Sequence, residues 1–198
     1  MEPKIEIILL FIGFGSLVAT LIVWFLAYPK KRRFLERLKK EFDLEYPKGV
    51  LMFRAGKLKG FYRDHEITIA PFATEGKFWI LLRLLNPENF LGSIKIRKPG
   101  MFLAEPVFKD NRKELFTGNS AFDSQFKILG KPAPDISKII TPPIQKGLID
   151  LAEKTNFEIQ ILQDGIFYTS EGKAIDIDLI KFISDLLVDT AKNITFGQ

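Results

Sequence analysis

The chain has 198 residues, of which 46% are hydrophobic and 27% are charged, and it contains no cysteine. This length is enough for one well-packed domain and one further short segment. The lack of cysteine excludes disulfides, thiolate metal ligands and a thiol nucleophile, and it fits a reducing compartment.

The basic excess lies beside the most apolar part of the chain. The formal net charge is +5, and residues 29–48 hold most of it, with eight Lys/Arg against four Asp/Glu. Nucleic-acid-binding domains instead carry their basic residues over one whole surface. One basic cluster lies among aromatic residues but lacks a clear stacking-platform motif. It consists of Arg54, Lys57, Lys59 and Arg63 near Phe53, Phe61 and Tyr62. We therefore expect no nucleic-acid partner.

The first predicted element is a membrane-spanning helix within residues 1–28. The run Ile7–Tyr28 carries no formal charge, and as a helix it would be about 33 Å long, enough to cross a hydrocarbon layer of about 30 Å. Its leader, MEPK, is not the basic leader of a cleaved signal peptide, and the apolar run is longer than such peptides have. We therefore expect this anchor to remain attached.

The residues that flank the span predict its orientation. Aromatic rings near its C-terminal end favour the headgroup region, and the basic residues that follow favour the cytoplasmic side. We expect a single-pass protein of the cell membrane, with the N-terminus outside and the C-terminal domain in the cytoplasm. The predicted membrane-interface residues are Trp24, Tyr28, Lys30, Lys31, Arg32, Arg33 and Arg37.

A basic amphipathic helix is predicted for the juxtamembrane residues 29–48. Phe34, Leu35, Leu38 and Phe42 recur with helical spacing and form one apolar stripe. This stripe can lie on a leaflet of anionic lipid headgroups, or it can dock on the domain while the basic residues face water. The sequence leaves both arrangements open.

Small residues inside the span suggest a second kind of partner. Gly15 and Ala19 are four positions apart, as are Ser16 and Thr20. Such spacing lets two membrane helices approach closely, so a homo-oligomer or a protein partner can form through this helix.

Residues 49–198 are predicted to form one α+β domain whose sheet is mainly antiparallel. Its first half contains short extended runs separated by turn residues, which is typical of a meander. The run Lys77–Leu85 also fits a short helix, but Asn86-Pro87 closes it and favours a strand. The predicted strands of this half are Val50–Arg54, Leu58–Arg63, Glu66–Phe72, Lys77–Leu85 and Gly92–Lys98.

A further strand and the helices are predicted in the rest of the domain. In Ala121–Gly130 we expect Phe122, Phe126 and Ile128 to share one strand face. Thr141 followed by Pro142 predicts the start of a helix that ends near residue 156. A final helix is expected to begin near Asp176, with Asp178 in its first turn.

The segment EIQILQDGIFYT predicts a β-hairpin. Asp164-Gly165 between two extended runs is typical of a two-residue type I′ turn. In that arrangement Ile159 and Ile161 share a face with Ile166 and Tyr168.

The residues that carry most enzyme chemistry are scarce. His65 is the only histidine, and Asp64-His65-Glu66 would point to alternate faces of a strand rather than converge on one metal ion. Asp123 best fits a structural acid, and phosphate-binding loops and nucleophile elbows are absent from the sequence. Whether the protein is an enzyme stays uncertain, but the residues favour a non-enzymatic role without cofactors.

The ordered segments TGNSAFDSQFKILG, ITPPIQKGLIDL and FEIQILQDGIFY, spanning about residues 117–168, resemble a family of prokaryotic membrane-anchored domains of unknown function. In that family a Phe-Asp-x-x-Phe strand precedes a helix and a hairpin. The resemblance implies a membrane-tethered cytoplasmic domain and brings no catalytic residues with it.

These observations favour a single-pass protein whose cytoplasmic domain is an interaction or assembly module at the membrane. The alternative is a domain that binds lipid or another apolar small molecule, because the 19 phenylalanines can line an apolar cavity as well as fill a core.

Overall fold

The computed structural model describes residues 16, 32–47, 57–71, 77–85, 90, 92–99, 112–131, 135–171 and 176–196. The chain divides into two compact units, Met1–Glu41 and Phe42–Gln198. No helix within the described ranges combines the length and the apolar character needed to cross a bilayer. Apart from the helical Ser16, the predicted span Ile7–Tyr28 lies outside those ranges, as do Lys30 and Lys31.

Within the range of the predicted helix, residues 29–48, residues 32–42 form helix α1, whereas Leu44–Glu45 form a strand instead. Arg32, Arg33 and Arg37 are exposed, whereas Leu38 is buried, so charged and apolar side chains occupy different sides of the helix. The helix ends at Phe42, the first residue of the second unit, and the Phe42 ring lies 5.1 Å from that of Tyr62 within that unit.

Within the described residues of the second unit, nine strands form one antiparallel sheet, and four helices lie along the chain after β6. The strands are β1 Leu44–Glu45, β2 Leu58–Tyr62, β3 His65–Ala70, β4 Lys77–Arg83, β5 Ser93–Arg97, β6 Lys113–Leu115, β7 Lys127–Lys131, β8 Phe157–Leu162 and β9 Gly165–Glu171. The helices are α2 Ser120–Asp123, α3 Ile136–Ile139, α4 Pro142–Lys154 and α5 Ile177–Phe196.

The strand order is β1-β2-β3-β4-β9-β8-β5-β7-β6. The late hairpin β8–β9 therefore lies between early strands, so the two halves of this unit share one sheet. This arrangement confirms the predicted α+β class with a mainly antiparallel sheet. Helices α3, α4 and α5 lie in the last third of the chain as expected, whereas the short helix α2 precedes it.

Side chains alternate between two faces of the sheet, which we call the core face and the outer face. The core face carries the apolar partners that lie opposite one another on neighbouring strands, and the pairs Ile80–Tyr168 and Ile159–Tyr168 are examples. Helix α5 contacts β4, α3 and α4. Tyr62 on the core face donates a hydrogen bond to Asp185 of α5, so this helix lies on the core face. The central core-face residues are Ile67, Ile69, Phe78, Ile80, Leu82, Ile94, Ile96, Ile128, Phe157, Ile159, Ile161, Ile166 and Tyr168.

Helix α5 begins and runs as predicted, but its buried surface is broader than one apolar stripe. Leu179 and Phe182 are only half-buried, whereas Ile180 and Val188 are completely buried. The helix packs on a strand and on two other helices at once, so three neighbours decide which side chains lose contact with water.

The prediction that Phe122 belongs to a strand is wrong. Residues 120–123 form the short helix α2, and β7 begins only at Lys127. Asp123 accepts hydrogen bonds from the Thr117 backbone and hydroxyl groups at 3.0 and 2.9 Å and from the Gly118 backbone at 3.1 Å. These bonds close a compact turn before β7. Local hydrogen bonds between side chain and backbone thus take the place of strand pairing at these residues. Phe122 and Phe126 still stack in the core, with ring centroids 4.7 Å apart.

The predicted hairpin is present, but its turn differs from the prediction. Leu162 pairs with Gly165, so the two turn residues are Gln163 and Asp164. Ile161 therefore lies opposite Ile166. This pairing differs from the predicted one by two positions, and a shift of two keeps every side chain on its face. The expected shared face of Ile159, Ile161, Ile166 and Tyr168 is therefore confirmed.

Close packing against a neighbouring strand, rather than the geometry of the turn, explains why residue 165 of this hairpin is a glycine. A Cβ atom at Gly165 would lie 2.6 Å from the carbonyl oxygen of Leu82 on the neighbouring strand β4. The paired backbones cannot separate without breaking the ladder, so this position excludes a side chain. Positive φ occurs instead in the β2–β3 turn, at Arg63 and Asp64, as a type I′ turn requires.

Two short edge strands were not predicted. β1 has 2 residues and β6 has 3, which is too short to show an alternating pattern. The predicted strand Val50–Arg54 lies outside the described residues.

The helices are joined by polar side chains at their ends. Thr141 occupies the predicted N-cap of α4, but its hydroxyl accepts a hydrogen bond from Asn193 of α5 at 3.2 Å instead of capping its own helix. Asn193 also donates to the Ile139 carbonyl at 3.1 Å. Hydrogen bonds to the polar groups at these helix termini thus connect α5 to α3 and to the start of α4.

Tyr168 lies at the centre of the core and makes the stability of the fold sensitive to alkaline pH. Its side chain is fully buried between the rings of Phe78 and Phe157, and its hydroxyl has no hydrogen bond of standard geometry. Burial raises the pKa of Tyr168 to about 12, while the nearby hydroxyls of Ser170 and Thr155 act in the opposite direction.

We expect stability to fall as pH rises from about 10 to 12, because the unfolded chain then releases the Tyr168 proton while the folded chain retains it. Tyr168→Phe should leave the free energy of unfolding nearly unchanged at pH 8 and should remove about 1 kcal/mol of the loss between pH 9 and 11. Urea unfolding of the full chain in detergent, followed by circular dichroism, measures both effects.

Tyr62→Phe is the contrasting variant. Its hydroxyl donates to Asp185 at 2.6 Å, and burial followed by this bond raises the pKa of Tyr62 to about 12. This substitution should already cost about 1–2 kcal/mol at pH 8. A Tyr168→Phe variant as unstable as Tyr62→Phe at pH 8 would contradict the assignment of an unbonded hydroxyl.

Candidate functional site

The candidate site is the outer face of the sheet, opposite the face that α5 covers. The strand pairing places on it the residues that alternate with the core, and these residues include large apolar groups as well as charges. Its principal members are Lys59, Phe61, Glu66, Thr68, Trp79, Leu81, Arg83, Lys95, Glu158, Gln160, Leu162 and Phe167.

An aromatic stripe, defined as Trp79, Leu81 and Phe167, occupies the middle of the outer face. The rings of Trp79 and Phe167 stack with centroids 5.4 Å apart and planes inclined by 26°. Leu81 lies directly opposite Phe167 in the β4–β9 pair, and all three side chains are half-buried. The stripe therefore presents partly exposed apolar surface on a rigid sheet.

A charged row, defined as Lys59, Glu66 and Arg83, borders the aromatic stripe. Lys59 Nζ lies 3.0 Å from one Glu66 oxygen, and Arg83 Nε lies 2.5 Å from the other. Lys57 Nζ adds a third cation, 5.0 Å from the centroid of the Trp79 ring. The row holds two cations against one carboxylate and so carries a net positive charge, whereas Lys57 lies beside Trp79, four positions along β4 from Arg83.

A buried ion pair lies toward the β5–β8 side of the same face. Lys95 Nζ is 3.3 Å from Glu158 Oε1, and their side chains are only 11% and 6% exposed. Gln160 also donates to Glu158 Oε1, at 2.5 Å. Charges removed from water need such partners, because an unpaired charge there is costly. This cluster is thus a structural feature of the sheet.

The sequence triplet Asp64-His65-Glu66 does not form one site. Asp64 lies in the β2–β3 turn, while His65 lies on the core face and is buried. Its Nδ1 is 3.4 Å from the Arg83 carbonyl oxygen. Glu66 points to the outer face, where it pairs with Lys59 and Arg83. Within the described ranges, no cluster of three or more His, Asp or Glu side chains has the arrangement of a metal site.

The other acids considered from the sequence have structural roles. Asp123 holds the turn before β7, as described above. Asp176 accepts a hydrogen bond from the Leu179 backbone at 2.7 Å and so caps the start of α5.

Of the predicted membrane-interface residues, Arg32, Arg33 and Arg37 lie on α1 and are exposed, and the others lie outside the described residues. The outer face itself was not predicted. One signal was visible in the sequence, because Lys57 and Lys59 belonged to the basic cluster near Phe61. Arg63 of that cluster points elsewhere and pairs with Asp185 at 3.1 Å.

Comparison with known proteins gives a fold likeness. No protein-family model matches the chain, and no curated protein matches it in sequence. The crystal structure of the mycobacterial trehalose monomycolate transport factor A, TtfA, matches with a TM-score of 0.55 at 9% sequence identity, over 81% of this chain and 90% of that chain. At this identity the match shows a shared fold alone.

The buried ion pair predicts an asymmetric response to substitution. Glu158→Leu should lower the free energy of unfolding by about 3 kcal/mol, because Lys95 would remain buried without a counter-charge. The double variant Lys95→Met/Glu158→Leu should recover most of that loss. Urea unfolding of the full chain in detergent tests both expectations.

Asp189→Leu is the matched control for the ion-pair test. Asp189 pairs with Lys192 at 3.0 Å, but both side chains are about half exposed. Removing such a surface partner should cost less than about 1 kcal/mol. Equal losses for Glu158→Leu and Asp189→Leu would show that burial does not set the strength of the outer-face pair.

Proposed function

We propose that this protein is a non-enzymatic, membrane-tethered domain that binds an amphipathic lipid on the outer face of its sheet. The observation that carries the proposal is the aromatic stripe, which holds stacked and partly exposed apolar rings beside a group of cations. An acyl chain can cover the apolar surface while the polar head remains near the charged row. Lipid binding thus accounts for both parts of the face.

The fold likeness supports the same class of ligand. The similar solved structure is a transport factor for trehalose monomycolate, a glycolipid by its chemical name. For this chain we adopt only the general class, an amphipathic lipid, because the two sequences share few residues. The uncharged run Ile7–Tyr28 and the basic residues after it support a membrane tether, where such a ligand is at hand.

The tether also supports a location. We propose that the protein spans the cell membrane once, with its N-terminus outside and residues 42–198 in the cytoplasm. Lys30, Lys31, Arg32 and Arg33 motivate this orientation, because short basic segments stay on the cytoplasmic side.

A second candidate function is an interaction or assembly module. Phe61 and Phe116 are 67% and 66% exposed, and exposed aromatic side chains are common anchors of protein interfaces. The short edge strands disfavour partners that extend the sheet. A protein partner recovered from detergent extracts in a Phe61-dependent and Phe116-dependent manner would favour this candidate over lipid binding.

Trp79→Ala tests the proposed lipid site. We expect the variant to bind lipid at least about tenfold more weakly, because loss of contact with one large apolar side chain costs about 1.5–3 kcal/mol. Native mass spectrometry of the detergent-solubilised full chain, titrated with phospholipid, measures the bound fraction.

Phe182→Ala is the matched control for Trp79→Ala. Phe182 lies on α5, and Lys154 Nζ is 5.0 Å from its ring centroid, the same distance as that between Lys57 Nζ and Trp79. The Phe182→Ala variant keeps the N-terminal apolar segment, and position 182 lies away from the outer face. The variant should therefore bind lipid as well as the unchanged protein does. Equal lipid binding by the two variants would refute the outer-face site.

The topology has its own test. A tag at the C-terminus should resist a protease added outside intact cells, and replacing Lys30, Lys31, Arg32 and Arg33 with Gln should increase the digested fraction. Digestion of the tag in the unchanged protein would reverse the proposed orientation.

A further inference from the structure

We propose that the charged row is an anion subsite that selects lipids with a phosphate-bearing headgroup of net negative charge. This inference rests on the proposed lipid-binding function and adds the headgroup class to it. Its occupant is an anionic glycerophospholipid whose acyl chain lies on the aromatic stripe.

The balance of charge in the row favours an anion. Glu66 is shared by two cations, Lys59 at 3.0 Å and Arg83 at 2.5 Å. One carboxylate therefore faces two cations, and a phosphate with one negative charge would bring the row to neutrality. Lys57 lies against Trp79, at the other end of the aromatic stripe.

The cations are accessible and can change partners. The Lys59 and Arg83 side chains are 49% and 56% exposed, whereas the Glu66 side chain is 26% exposed. Ion pairs at such exposure are weak because water screens them. A phosphate offers the Arg83 guanidinium two oxygens in the geometry that favours paired hydrogen bonds.

The row lies at the correct place for a headgroup. Arg83 and Leu81 are alternate residues of β4 on the same face, so their backbones are about 7 Å apart. Thr68 lies opposite both Leu81 and Lys59 and joins the stripe to the row. A lipid seated on the stripe can therefore place its phosphate among the cations without leaving the sheet. A nucleic-acid strand shares the phosphate chemistry but has no acyl chain for Leu81 and Phe167.

The two tryptophans of the chain allow a direct test. Trp24→Phe leaves Trp79 as the sole tryptophan, and its fluorescence in the detergent-solubilised full chain reports contact with acyl-brominated lipids. We expect brominated phosphatidylglycerol to reach half-maximal quenching at about tenfold lower concentration than brominated phosphatidylcholine. Lys59→Gln and Arg83→Gln should each reduce that preference about fivefold, because each substitution weakens binding of the anionic lipid more than binding of the zwitterionic one.

Lys192→Gln is the matched control in the same background. Lys192 has a side chain 50% exposed and an ion pair of 3.0 Å with Asp189, close to the values for Lys59, and it should retain the full preference. Equal quenching by the two lipids, or a preference that survives the Lys59→Gln/Arg83→Gln double variant, would overturn the headgroup inference alone. If neither lipid quenches the fluorescence, the proposed lipid-binding function is refuted. If a single-stranded oligonucleotide quenches it, the ligand of the outer face is a nucleic acid instead of a lipid.

Discussion

The alternation of side chains along the central strands is the constraint on which the rest of the structure depends. On β4 and β9, alternate residues such as Ile80, Leu82 and Tyr168 are completely buried. A slip of one residue would turn this apolar set toward the outer face and bring Trp79 and Arg83 into the core. The core therefore fixes the register, and the register in turn decides which side chains the outer face presents.

Glycines mark the places where this register demands close backbone contact. Gly165 lies against the Leu82 carbonyl oxygen, and a Cβ atom at Gly60 would lie 2.9 Å from the Asp43 carbonyl oxygen. The second contact brings the chain that follows α1 onto β2, where Leu44 pairs with Gly60. Both glycines thus serve the sheet through their lack of a side chain.

The charged side chains of the outer face have different roles because they are buried from solvent to different extents. Lys95 and Glu158 are almost fully buried and neutralise each other, so their contribution lies in the structure of the sheet. Lys59 and Arg83 carry the same kinds of charge at about half exposure. They remain in contact with water, and they can exchange Glu66 for an incoming anion. The proposed binding chemistry follows from this difference in solvent access.

The sequence by itself determined the class of the fold and the elements with strong local patterns. Residues typical of helix starts identified α4 and α5, and turn residues separated most of the long strands, because both kinds of residue act on the backbone beside them. The prediction failed at Phe122, where bonds from Thr117 and Gly118 to Asp123 close a local helix. It also failed at the Asp164-Gly165 turn, where the neighbouring strand imposes the glycine.

Only the tertiary structure decided the order of the strands and the composition of the outer face. Trp79 and Phe167 lie far apart in the chain and meet because β9 pairs with β4. Lys59, Glu66 and Arg83 likewise come from three strands. Long-range pairing carries no local signature in one sequence, since any strand with the same alternation could occupy the neighbouring position. The alternation could therefore be read from the residues, but the surface that it builds required the assembled sheet.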